Sequence, residues 1–164
     1  MKKHDFWEGI WTLRGVDKNG NTLWEEEIQN FLADEGEKQL LEVYFRNTNN
    51  PVQFFIRMCN DSLQETDTLA DVQNEPIGNG YSPQTVERSA VGFPDLSLDA
   101  GDYTITSKVV TFTAAGGDIG PINTAYLATT SNDTGFLIAA VSLAASRTIV
   151  SGDGLEVYFK IKMK

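Results

Sequence analysis

The chain has 164 residues, 41% of them hydrophobic and 22% charged, which suits one domain with its own core and excludes a disordered chain. A net charge of −10 excludes nucleic-acid backbones as partners, because phosphate neutralisation needs clustered Lys and Arg, and instead fits docking onto a basic protein. The start MKKHDFWE carries no apolar segment behind its lysines, and no stretch approaches the roughly 20 apolar residues of a bilayer span, so a soluble chain made in a cytoplasm is expected.

In chain order, the N-terminal segment predicts a β-hairpin. Trp7, Trp11 and Leu13 share one face of a strand over about 6–16, with Gly9 between them. The run Asp17-Lys18-Asn19-Gly20-Asn21 is the turn, its Asn-Gly supplying positive-φ positions, and 23–28 is the return strand. One helix follows. Asp34 is expected to cap it, with Glu37 three residues on; Glu35 and Glu37 suit the positive first turn and Arg46 the negative end. Leu40, Leu41, Tyr44 and Phe45 form an apolar stripe at helical spacing, and 47–51 ends the helix.

From there the chain reads as strands and turns. Val52, Phe54, Ile56 and Met58 alternate with Gln53, Phe55, Arg57 and Cys59. Residues 61–72 are polar, with one helical turn over 68–72, and 75–83 is a long loop before a short strand at 84–89. Strands are then expected at 103–107, 109–113, 123–129, 136–143 and 155–163. Clusters such as Asp99-Ala100-Gly101-Asp102 and Ser151-Gly152-Asp153-Gly154 divide them, and a longer link carries Gly120-Pro121. Many short strands at even spacing argue for an antiparallel sandwich or jelly-roll-like barrel, mainly β. The last strand is the clearest, since Leu155, Val157, Phe159, Ile161 and Met163 alternate with Glu156, Tyr158, Lys160 and Lys162. With no repeat and no linker, 1–164 reads as a single β-rich domain, in which 1–29 is a hairpin arm and 30–164 the helix and sandwich core.

Catalytic chemistry finds little material. The only histidine is His4, near the start, and a histidine acting as acid or base must be held by its neighbours. Cys59, the only cysteine, excludes an intrachain disulfide and reads as a half-buried structural thiol. Glu25, Glu26 and Glu27 in the return strand, or Asp99 and Asp102 at a turn, could supply a glycosidase pair. A solvated edge strand and ordinary turn chemistry are the simpler readings. The Asp-Gly clusters lack the spaced oxygens of a calcium loop, and the Gly78-Asn79-Gly80 and Gly116-Gly117 runs lack the lysine and helix of a phosphate loop. No metal and no cofactor is expected. Trp7, Trp11 and Trp24 crowd one hairpin, and they are the candidate partner-binding residues; packing onto the helix or a neighbouring subunit is favoured over a sugar platform.

Several segments carry a resemblance. Residues 34–46 (DEGEKQLLEVYFR), 54–61, the 78–81 loop, 108–120 and the closing Gly152-Asp153-Gly154-Leu155 strand entry resemble small virion proteins of tailed bacteriophages, from about Asn30 to the end. The resemblance implies a particle subunit located in the virion, and in the host cytoplasm before assembly. The leading expectation is a capsid decoration or cement protein that binds the major capsid protein or another virion protein and forms a homo-oligomer. A tail or fibre module that binds host glycans is the first alternative, and a carboxylate-dependent glycan hydrolase the second. Because Met1 to Ile28 concentrate Trp, they are the expected contact arm. Neither nucleic acid nor membrane is an expected partner.

Overall fold

The strictly alternating C-terminal segment organises the fold. In a computed structural model describing residues 7–164, strand β11 (Gly154–Met163) pairs along its whole length with β1 (Trp7–Val16), from Trp7 against Met163 to Val16 against Gly154. Its other side is shared by two short strands placed end to end, β8 (Val110–Thr113) along its first half and β7 (Asp102–Thr106) along its second. Strand β2 (Thr22–Gln29) closes one edge beside β1, and β6 (Asp95–Asp99) closes the other beside β7. All pairings are antiparallel.

The second sheet has the order β3-β10-β9-β4-β5, with β3 (Phe31–Leu32), β4 (Gln53–Cys59), β5 (Gln84–Glu87), β9 (Ile119–Ala128) and β10 (Leu137–Ile149). Its inner face sets Ile56, Met58, Ala125, Leu127, Ala139 and Val141 against Trp11, Leu13, Leu155, Val157 and Phe159 of the first sheet. Trp11 stacks on Phe159 at 5.2 Å between ring centroids. This is the sandwich that the alternating pattern implies: one face of each sheet is apolar, and the two faces cover each other.

The second sheet is covered on its outer face as well. Cys59, Tyr126, Ala128 and Ala140 pack there under Leu63, Leu69 and Val72. The segment expected to be merely polar is therefore a lid on a second, smaller core. Its single 3₁₀ turn (Leu69–Asp71) has a capping box between Thr68 and Asp71. Glu35 ties this lid to the sheet, its carboxylate accepting the backbone N–H of Leu69 at 3.0 Å and of Leu137 at 2.6 Å.

Four expectations are corrected. Helix α1 (Asp34–Leu41) is capped by the extended Ala33 and not by Asp34, which is its first residue; the Asp34 N–H is satisfied by the Glu65 carbonyl at 2.8 Å. Most of the apolar stripe does not face the core: Leu41, Tyr44 and Phe45 are exposed, the last two in a π-helical turn (Glu42–Arg46) that continues the helix. Gly36, Gln39 and Leu40 make the packed side, while Tyr44 is 81% exposed. Gly36 is required there: a Cβ would lie 2.2 Å from the Ile138 carbonyl oxygen. The N-terminal hairpin is not an arm, since β1 has a neighbour on each side and contributes Trp11 and Leu13 to the core. Finally, β3 and β6 are strands not foreseen in the sequence, and the Gly120-Pro121 link, a cis peptide, lies inside β9.

Candidate functional site

The three tryptophans lie on the inward face of the first sheet, and they do not form an exposed platform. Trp11 is 1% exposed. Trp24 is half-buried and lies against Gly15, where a Cβ would fall 2.3 Å from the indole nitrogen; the Arg147 guanidinium lies over the ring, 4.5 Å from its centroid. Trp7, also half-buried, is the one that borders open space, and its Nε1 is buried without a hydrogen-bond partner among the described residues.

That open space is a cleft of about 730 Å³ between the two sheets, at the end where the sandwich is not fully closed. Phe159, Leu127 and Ile138 form its floor, Phe54, Phe93 and Leu40 its walls, and Leu96 and Tyr103 its rim. Phe93 meets Phe54 edge-on at 6.1 Å and Phe159 at 5.8 Å, so the wall is a chain of steeply inclined rings. Among the described residues Arg88 is the single charged one in the lining, and no carboxylate lines it. A cleft of this size and polarity holds apolar side chains or an apolar ligand.

The carboxylates suggested by the sequence are dispersed. Glu25 and Glu27 point outward on β2, and Glu26 points inward, where it accepts from the Arg147 guanidinium and from the Ala144 N–H at 3.0 Å. Burial works against the charge of Glu26, but Arg147 and that N–H outweigh it and hold the carboxyl below the usual range. Asp99 is held low by Lys160, at 2.9 Å, and then by Lys162; Asp102 meets Lys162 at 3.5 Å. Both lie on the outer face of the β6–β7 hairpin. Cys59 is fully buried, and burial pushes its thiol up to about 12, which leaves it protonated and unreactive. His4 lies outside the described residues. No group of three or more metal-ligating side chains occurs among the described residues.

A charged network that the sequence did not single out sits on the outer face of the second sheet, over Tyr126. Arg57 is 2% exposed and donates to Glu75 at 2.9 Å, to Asp133 at 3.0 Å and to the Asn132 carbonyl at 2.8 Å, with its guanidinium 5.4 Å above the Tyr126 ring. Burial opposes the Arg57 charge, and Glu75 more than offsets it, so the group stays protonated. Tyr81 donates to Glu75 at 2.5 Å, and burial followed by this neighbour raises its hydroxyl pKa. The network pins the 75–81 loop and the 130–135 turn to β4. The buried Arg57 at its centre, paired with two carboxylates and a backbone carbonyl, marks it as scaffold. The clue in the sequence was a lone Arg inside an otherwise apolar alternating strand.

Comparison with known proteins adds one match. A family model described as podophage GP4 fiber I protein gp80 matches residues 32–161, which takes in α1, nearly the whole second sheet and all but the hairpin β1–β2 and the last residues of the first. Among curated proteins no relative matches the chain.

Proposed function

The chain belongs to that fibre family and is a small virion structural protein of a tailed phage, and on that premise we propose that it serves as a fibre-associated subunit of the particle. The family match over both sheets carries this reading. It favours the fibre at least as well as the capsid shell, on which a decoration role was expected. The geometry supports a structural role, since a sandwich with cores on both faces of one sheet is stiff, and its open end presents apolar surface of the kind that joins protein to protein. Its partners are other virion proteins, and the role requires no chemical step. Cryo-electron microscopy of particles carrying a tagged copy tests it. Density for the tag at the tail is expected, and density spread over the icosahedral shell would return the protein to the capsid.

A specific observation favours a second reading, that the module also touches host glycans. A separate cleft of about 480 Å³ is lined by Asn50, Gln53, Thr130 and Asn132 beside the rings of Phe55 and Phe136, with no charged residue in its lining among the described residues. Amides and hydroxyls next to ring faces suit a neutral sugar. Retention of the purified protein on immobilised host polysaccharide, weakened by Gln53→Ala, is the expected result; equal retention of the wild type and this variant would remove the cleft from consideration.

A further inference from the structure

Strand β6 stands apart from every other strand. It is an edge strand paired with β7 alone, and all five of its residues are exposed. Leu96 and Leu98 are 68% and 63% exposed, and with Tyr103 across the hairpin they make an apolar face that continues the rim of the large cleft. An open edge carrying apolar side chains is a template for another strand unless something blocks it.

The sequence of the strand is Asp95-Leu96-Ser97-Leu98-Asp99, which reads the same in both directions. The hairpin turn is Ala100-Gly101, both at positive φ, so Asp99 and Asp102 flank a two-residue reversal and exchange hydrogen bonds. Alternation along the ladder then turns the backbone N–H and C=O of Leu96 and Leu98 to the free edge, and those of Asp95, Ser97 and Asp99 toward β7.

We propose that β6 pairs antiparallel with β6 of a second copy about a two-fold axis at Ser97, joining two sheets into one continuous sheet. The register follows from the geometry. Leu96 and Leu98 are the residues with outward backbone groups, and a two-fold at Ser97 sets Leu96 opposite Leu98 of the other copy on both sides of the axis. The four outward N–H groups then meet the four outward carbonyls. On one face the pairing merges the two apolar patches. On the other, Asp95, which has no ion pair among the described residues, comes opposite Asp99 of the second copy, whose carboxylate is already held by Lys160 at 2.9 Å and Lys162 at 3.9 Å. The lysines offset the like charges there, so this edge can approach its copy although the chain carries −10 overall. An isologous contact of this kind closes at two copies and does not run on into a fibril. The inference stands on the strand itself and does not depend on where in the particle the protein sits.

Cysteine cross-linking tests it directly. Ser97 would face its own copy in a non-hydrogen-bonded pair, the close spacing at which a disulfide fits. In the full-length protein, Ser97→Cys should form a covalent dimer under mild oxidation, whereas the buried Cys59 of the wild type should give none. Sedimentation should show a concentration-dependent dimer for the wild type. Leu98→Lys, at an exposed position that leaves the fold intact, should weaken that dimer by roughly tenfold or more. A wild type that stays monomeric at high concentration, or an oligomer whose Ser97→Cys form does not cross-link, overturns the proposal.

Discussion

Two hairpins flank the long strand β11, and they differ in what lies opposite them. In β1–β2 the inward residues Trp11 and Leu13 are buried, and the edge strand is tied across to the second sheet by Glu26 and Arg147. In β6–β7 the residues in the corresponding positions, Leu96, Leu98 and Tyr103, stay exposed. Both hairpins alternate apolar and polar residues, and both close with tight turns containing glycine. Alternation therefore marks a face able to be buried, and coverage by another layer determines whether it is. One hairpin commits its apolar face to the interior of the fold. The other leaves it exposed at an open edge.

Deletion to a chain beginning near Asn30 breaks the comparison most severely. It removes the only strand neighbour of β11 on that side, together with Trp11 and Leu13, and circular dichroism should show loss of the cooperative fold and not a detached arm. Trp11→Ala should cost about 3–5 kcal/mol in chemical denaturation, because the cavity beneath Phe159 cannot collapse between two sheets. Arg57→Ala should cost a similar amount, about 3–5 kcal/mol, by leaving Glu75 without its buried partner.

Smaller effects sharpen the contrast. The carboxyl of Glu26 is lower in the folded state than in the unfolded one, so its pairing stabilises above about pH 4.3 and fades as pH falls through the folded value. Glu26→Gln should lower stability at pH 7 by about 1–2 kcal/mol and flatten the acid limb of the stability profile; an unchanged acid limb would show that the pair contributes nothing. Leu98→Lys should change monomer stability by less than about 0.5 kcal/mol, since its site is exposed, in contrast to its effect on self-association.

Much of the fold was legible because its signals are local. The β1–β2 hairpin, the Thr68 turn and the final strand announce themselves through turn residues and period-two alternation within a few positions of one another. The expected helical stripe failed for a related reason. Leu41, Tyr44 and Phe45 have helical spacing, but whether the core lies under them depends on Gly36 docking against Ile138, about a hundred positions away. Strand β6 escaped notice because five residues with two leucines look like a loop until β7 is placed beside them. The cleft was invisible for the same cause: its lining comes from β1, α1, β4, β7, β9, β10, β11 and the 88–96 segment, and no stretch of sequence contains more than a part of it.

The candidate tryptophans show the same division. Their crowding in one hairpin was plain, and their facing the second sheet was decided only by the register of β1 on β11. By itself, the sequence determined which segments extend, where they reverse and which residues share a face, because backbone sterics and side-chain alternation act between near neighbours. The tertiary structure alone decided which of those faces is covered, that Arg57 is neutralised by a carboxylate 18 positions on and a second 76 positions on, and that β6 remains an open edge. Those outcomes rest on contacts between distant segments, whose energy depends on what the fold brings opposite each residue.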